Sequence, residues 1–454
     1  MTDSSLPKVD SFKAHLEKRQ RTGRLWSRIF YMCNFVAILT LIALAFNISN
    51  NAFGYVAMSY KKDPVALAET PIETLDELGL AQILQREVPK KLRVIIRDAL
   101  SRVPNEEFSQ LSLQQALGGA VLVPEVAALK ISEISDEQAI QVLTDNLDQA
   151  GLYSLVVQHV VEPIIRESWT LFDSITKRDA ISQKIAEKYP EAKMEFRSWV
   201  NPMFLRNSVS SDATTAGLRT ALIGTLWVIV VTSIFAFPLG IGSAIYLEEY
   251  ATDTWLNRLI ETNIRNLAGV PSIIYGMLGL TVFVRLLAPL TSGAMFGVQG
   301  TDGRTILSAG MTLGLVILPV IIINAQEAIR AVAPSIREAS YGLGATKWQT
   351  IARTVLPASA PGILTGVILS LSRAIGETAP LIVVGASTFI TIDPNGPFSK
   401  FTVVPIQIFQ WTSKPQQEFR NTAAAAIVVL MIVLFLLNSV AIMLRNRYTR
   451  KLTA

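Results

Sequence analysis

Six stretches of the chain stay apolar for about twenty residues or more, roughly 29–48, 217–247, 267–290, 306–332, 362–390 and 422–444. As helices, such stretches are long enough to cross a hydrocarbon layer ~30 Å thick. Between the first two runs, over 49–216, the pattern changes to amphipathic. In AQILQREVPKKLRVIIRDAL, residues Ile83, Leu84, Val88, Leu92, Ile95 and Ile96 recur at helical spacing. SDEQAIQVLTDNL opens with Ser135 as an N-cap, with Glu137 and Gln138 in the first turn. ISQKIAEKYPEAKMEF reads as a third amphipathic helix. The pattern predicts an all-α polytopic membrane protein with six spans and a large, mostly helical insertion between spans 1 and 2. The amphipathic faces read as ordinary core faces, with a partner-docking surface as the alternative.

Composition agrees. Half of the residues are hydrophobic and 17% are charged, against about a quarter charged in soluble domains. A net charge of +5 would suit nucleic acid, but its placement argues against that. Lys8, Lys13, Lys18, Arg19, Arg21, Arg24 and Arg28 precede the first run, and Arg445, Arg447, Arg450 and Lys451 follow the last. Both clusters flank spans as cytoplasmic positive charge does, which puts both termini in the cytoplasm. Loops 248–265 and 334–358, the latter with Arg337, Lys347 and Arg353, then fall inside. Loops 289–304 and 391–420 fall outside, and the insertion is extracytoplasmic. Ala43-Leu44-Ala45 resembles a cleavage site, yet the long polar lead-in and long apolar core favour an uncleaved signal anchor. Cys33 is the sole cysteine, and His15 and His159 lie far apart, so no metal-ligand spacing is visible. The run Ala423–Ala426 suits close helix approach.

The loop after the fourth run reads EAIRAVAPSIREASYGLGATKWQTIARTVLPASAPGIL. Pro334 ends or kinks one helix, a short helix follows, and Gly342 and Gly344 loosen the backbone. A second short helix runs through Trp348 to Val355, and Pro357 and Pro361 are expected to end it. Two short helices across one face suit a groove in a soluble partner. GLGATK lacks the P-loop spacing G-x-x-x-x-G-K-[ST], so the chain itself is not expected to bind ATP. No nucleophile–base or paired-carboxylate constellation is present, and the chain reads as a non-enzyme.

EASYGLGATKWQTIARTVLP resembles the EAA loop of importer-type ABC permeases. Glu338, Ala339, Gly344, Leu356 and Pro357 match that pattern, while Ser340 replaces its second Ala and Thr354 stands where Ile is usual. The resemblance implies the type I (MetI-like) permease fold and a coupling loop at about 334–358 that seats in an ATPase subunit.

LSRAIGETAPLIVVG places Arg373 and Glu377 four residues apart inside an apolar run. On a helix they share one face. A charge near the bilayer centre costs about 2.5–3.5 kcal/mol on insertion scales, so the pair must face something other than lipid. A guanidinium fork suits a phosphate-type oxyanion, and the carboxylate could hold it when substrate is absent. The alternative is a structural lock between helices.

This run resembles the PstA-type permeases of phosphate importers, as do GIGSAIYLEEYA (240–251), NLAGVPSIIYGMLGL (266–280) and VPIQIFQWTSKPQQEF (404–419). In the third of these runs Pro271 breaks a span, either as a packing kink with Gly276 and Gly279 or as a helix break beside the pathway.

The resemblance covers about 215–445 and divides the chain into a basic N-terminus (1–28), span 1 (29–48), the insertion (49–216), a permease core (217–445) and a tail (446–454). It implies residence in the bacterial inner membrane and inorganic phosphate as substrate. It also implies a homologous second permease of the PstC type, a PstB-type ATPase dimer that holds ATP and Mg, and an extracytoplasmic PstS-type binding protein. A permease for sulfate, molybdate or a phosphonate, and a membrane sensor or assembly protein working through the insertion, are the rival readings. The insertion itself departs from short PstA-type chains.

Overall fold

The computed structural model describes residues 9–68, 70–100, 108–117, 120–210, 212–298, 302–386, 390 and 393–453, with side chains within 19–447. Lys8 lies outside the described residues, as do the side chains of His15, Lys13, Lys18, Arg450 and Lys451.

Helix α1 (Val9–Ala52) runs into strand β1 (Phe53–Tyr60) without a loop. A helical lobe follows, including α2 (Glu77–Glu87), α3 (Leu92–Leu100), α4 (Asp136–Asn146) and α5 (Gln149–Val156). The predicted face of α2 and α3 forms its core: Ile83, Leu84, Leu92, Ile95 and Ile96 are all buried. Ser135 caps α4 through a capping box with Gln138. Strand β2 (Pro163–Ser168), α6 (Leu171–Thr176), α7 (Arg178–Lys188) and β3 (Lys193–Ser198) complete the insertion.

The strands form an antiparallel sheet in the order β2-β1-β3. Met58 pairs with Ile165 on one side and Lys193 on the other. The sheet was absent from the sequence reading, which ran KMEF on as helix. Pro190 stops α7, because a proline disfavours helix at the residue before it, and the chain re-emerges as β3.

The long rods are α8 (Arg219–Tyr250), α11 (Ile306–Arg330), α13 (Lys347–Gly376) and α16 (Gln417–Thr453), with α9 (Trp255–Ala268), α10 (Ser272–Leu286), α12 (Pro334–Gly342), α14 (Ala379–Val384) and α15 (Val404–Ser413) between them. Among the described residues, five helices are long and apolar enough to span a membrane, or six if α9 and α10 count as one bent span. Helix α11 is the hub, two-thirds buried over its apolar window, whereas the window of α1 has no buried residue. Thr232 on α8 donates to Gly310 O on α11 at 3.1 Å, which fixes their close approach.

Two expected spans are corrected. The third does not run straight from 267: α9 and α10 meet at 106°. Helix α9 has no buried residue and the composition of a surface helix, so Leu267 and Ala268 belong to it. The fifth does not start at 362, because α13 passes through Pro357 and Pro361. A π-turn at Ile351–Val355, closed by Leu356 N–H to Ile351 O, widens the backbone before Pro357. There the missing N–H and the ring are tolerated. This rod ends at Gly376, and residues 387–389 at the end of the expected span lie outside the described residues.

The bundle has two distinct ends. The sheet packs onto α8, α15 and α16 through Val56, Met58, Trp199, Phe204, Val404, Trp411 and Phe419, and Asn421 donates to Ser168 Oγ at 2.9 Å. The insertion is therefore continuous with the bundle at this end. At the other end, Arg330 pairs with Glu248 at 2.5 Å and Arg337 with Glu249 at 2.9 Å.

Candidate functional site

The first candidate element is α12 with the turn after it. Leu343 N–H bonds Ala339 O, and Gly344 N–H bonds Tyr341 O. Gly344 has φ +82°, a left-handed conformation in which a Cβ is strained. Thr346 then starts α13 with a capping box to Gln349, its Oγ1 accepting at 3.3 Å. Ser340, at the position of the second Ala, has its hydroxyl 2.9 Å from that of Thr350. This hydroxyl pair joins the two helices of the turn. Arg337 anchors α12 to the bundle, donating to Glu249 and to the carbonyls of Ile329 and Val332.

Glu338, Ala339 and Gly344 lie on the exposed side. Leu343 is 90% exposed, with Trp348 and Tyr341 beside it in sequence also exposed. Leu356 and Pro357 are half-buried and belong to the rod behind the turn. The matched residues thus split into an exposed tip and a buttress. The clamp of Arg337 on Glu249 was not read from sequence, since the partners are far apart in the chain. The capping box was legible as T-x-x-Q.

The second element lies halfway along α11. Ala374 packs with Ile317 and Ile321 at that level. Helix α13 ends at Gly376, Glu377 is extended at ψ 118°, and α14 resumes at Ala379. Arg373 Nε and Glu377 Oε1 are 3.2 Å apart. The pair forms as its spacing implies, although Glu377 stands just past the helix rather than on it. The Arg373 side chain is 45% exposed, and its remaining N–H groups make no hydrogen bond among the described residues.

Against this break lies the other. Pro271 starts α10 after the 106° bend. Tyr275 Oη donates back to Leu267 O at 2.8 Å, a carbonyl that also accepts from Val270 N–H at 3.1 Å, and so bridges the bend from α10 to the end of α9. Sequence reading passed over Tyr275, whose signal is its place four residues after Pro271. Gly276 lies so close to α14 that a Cβ would stand 2.7 Å from Pro380 Cα. At Gly279 a Cβ would overlap the Thr312 side chain of α11. The two half-helices α10 and α14 therefore pack directly together, each entered through a break.

The family model described as "Binding-protein-dependent transport system inner membrane component" matches residues 236–452, a range that holds both elements. The chain is 34% identical over 236 residues to the phosphate transport system permease protein PstA 1 of Mycobacterium tuberculosis, covering 52% of this chain and 72% of that protein. The chain belongs to this permease family, as a PstA-type member.

The PstA protein of Yersinia pestis is 32% identical over 226 residues, covering 50% of this chain and 71% of the relative. The PstC protein of Pasteurella multocida is 32% identical over 244 residues, covering 50% and 72%. Among solved structures, the PstA-type chain aligns with a chain of the MetNI methionine ABC transporter at TM-score 0.39 and 19% identity, over 50% of this chain and 94% of that one. It aligns with a chain of a bacterial alginate ABC transporter complex at TM-score 0.41 and 15% identity, over 61% and 96%. The ranges matched by the family model and PstA 1 cover about half of the chain.

Proposed function

We propose that this PstA-type chain forms half of the transmembrane pathway of an ATP-driven inorganic phosphate importer. One observation carries the reading. A partly exposed guanidinium stands halfway along the central helix, at the junction of two broken helices, with hydrogen-bonding capacity left over. Charge at that depth is tolerated where it faces a partner or a water-filled path, and a planar donor fork matches a phosphate oxygen pair. Glu377 holds the fork between passages and keeps the site from trapping the anion. The names of the PstA relatives support phosphate as the substrate.

In this reading the open face carrying Arg373, with exposed Leu369, Ile273, Ile274 and Met277, meets a second, PstC-type permease. The exposed tip at Glu338–Gly344 seats in a PstB-type ATPase dimer, which binds ATP and Mg. A PstS-type binding protein delivers phosphate at the sheet end. The sheet end faces outward from the bacterial inner membrane, and both termini are cytoplasmic, in keeping with the Lys and Arg residues that precede the first span and follow the last. Closure of the ATPases displaces α12. The Arg337 clamp and the capped start of α13 transmit that motion to the break at Glu377.

The test is uptake of radiolabelled phosphate at low concentration in cells with and without the chain, with excess sulfate present. Uptake that requires the chain and ignores sulfate is expected. Uptake indifferent to the chain, or suppressed by sulfate, overturns the assignment.

A further inference from the structure

On α8, the residues Leu226, Val230, Ile234, Pro238, Gly242 and Tyr246 recur at four-residue steps and are all exposed, one ridge of the helix. The row Val228, Thr232, Ala236, Gly240 and Ala244 is buried toward α11. The exposed row carries no charge. From Leu226 to Tyr246 it rises about 30 Å at ~1.5 Å per residue, the thickness of a hydrocarbon layer.

The row ends at α9. Where α10 crosses the membrane, the 106° bend turns α9 close to the membrane plane. Leu256, Leu259, Ile260 and Leu267 are exposed along one side of α9, and Arg258, Glu261, Thr262 and Arg265 occupy the other. Asn263, on the apolar side, turns its amide back to donate to Leu259 O at 2.7 Å. Trp255, 74% exposed, stands at the start of the helix. A helix with these two faces lies in the interface, its apolar side sunk about 5–10 Å toward the acyl chains, and tryptophan favours that depth.

With α8 as wall and α9 as floor, the two helices form an open corner of about 400 Å³. Among the described residues no charged side chain lines it. Ser243 and Tyr246 bring its only side-chain hydroxyls, beside Pro238, Leu239, Ile260 and Ile264. Gly242 lines it too, and a Cβ there would stand in open space. Leu239 and Tyr246 are exposed at its mouth.

We propose that this corner seats an acyl chain of a membrane phospholipid from the leaflet at the α9 end, with the headgroup beside α9. A span of a second subunit lying along the exposed row would run into α9, whereas an acyl chain ends within its leaflet. The proposal goes beyond the importer reading and rests only on the permease lying in a bilayer.

The test uses the full chain in nanodiscs of phosphatidylcholine and phosphatidylglycerol, doped with a phosphatidylcholine that carries a photoreactive diazirine midway along one acyl chain. After irradiation, adducts are located by mass spectrometry. Adducts are expected on Leu239, Tyr246 and Ile260, and on Ile234 higher on the same row. Gly242→Leu fills the corner from α8 and Ile260→Trp fills it from α9. Each should lose the adducts on Leu239 and Tyr246 and keep the one on Ile234. The two substitutions act from opposite sides, so a variant that unfolds leaves the other to be read. No adducts in the corner, corner adducts unchanged in a folded variant, or adducts equally frequent on Arg258 and Thr262 would overturn the proposal. The assembled transporter is irradiated in parallel. Corner adducts that persist there support the lipid, and corner adducts that vanish on assembly would assign the corner to a second subunit and overturn it as well. Phosphate uptake is untouched by these outcomes and tests the importer reading separately.

Discussion

Gly344 shows how one residue serves the exposed tip. Its φ of +82° costs a side chain on the order of 1–2 kcal/mol, while nothing lies within 4 Å of where a Cβ would stand. Backbone conformation therefore decides what is tolerated, and crowding does not. Gly344→Asn, which adopts left-handed backbone readily, should keep most of the uptake. Gly344→Val should reshape the turn, and Gly344→Glu should also put charge on the docking face. Co-purification of an ATPase with each variant checks this. Retention in Gly344→Asn and loss in Gly344→Glu are expected, and an ATPase bound equally by all three would remove the tip from the coupling surface.

At the level of elements, the close packing of α10 on α14 replaces continuous spans. Gly276→Ala would drive a Cβ to 2.7 Å from Pro380 Cα, an overpacking cost of about 1–3 kcal/mol. Gly242→Ala makes the same chemical change in open space on α8. It should be neutral or raise stability by roughly 0.5–1 kcal/mol through helix propensity. Thermal unfolding of the two variants in detergent should separate them, the first lower than wild type and the second not. Equal midpoints would mean that the half-helices are not tightly packed.

Elements also show what was legible. Apolar runs gave the rods because hydropathy is local, and the turn after α12 carried a recognisable motif. The continuation of α13 through Pro357 was hidden, since a π-turn leaves no mark on the apolar pattern. The strands were hidden too. β1 meets partners more than a hundred residues away, and β3 opens on charged residues that read as helix surface. Arg373 and Glu377 were found because charge in an apolar run stands out. Tyr275, which bridges the break beside them, was missed, because a tyrosine in such a run does not.

Across the whole molecule, the insertion meets the bundle through the sheet and the Asn421–Ser168 bond, and a polar junction inside the insertion holds that sheet together. Tyr60 Oη donates to Glu195 Oε1 at 2.5 Å, and Arg197 reaches Thr214 O at 2.7 Å. Burial, then the Glu195 carboxylate, raises the Tyr60 phenol well above its usual range. Burial and Glu73 push Tyr153 up to about 12. A group whose pKa is higher in the folded state contributes its full share below the unfolded value of 10.0 and loses it as pH rises toward the folded value. Stability should therefore hold through neutral pH and fall above pH 10. Tyr60→Phe should flatten that fall and cost about 1–3 kcal/mol at neutral pH, the worth of a hydrogen bond to a charged group. Melting curves against pH test this, and identical alkaline slopes in the two proteins would contradict it.

The central claim is that the ion pair at the break faces an anion path. The most direct test is uptake of radiolabelled phosphate by Arg373→Gln in cells where the assembled transporter is quantified by co-purification. The variant should assemble at wild-type levels, because the guanidinium has a single partner among the described residues and is half exposed, while uptake falls by about a hundredfold or more, as expected when a charge-assisted contact of the pathway is removed. Wild-type uptake in this variant, or loss of assembly together with uptake, would reduce Arg373 and Glu377 to architecture.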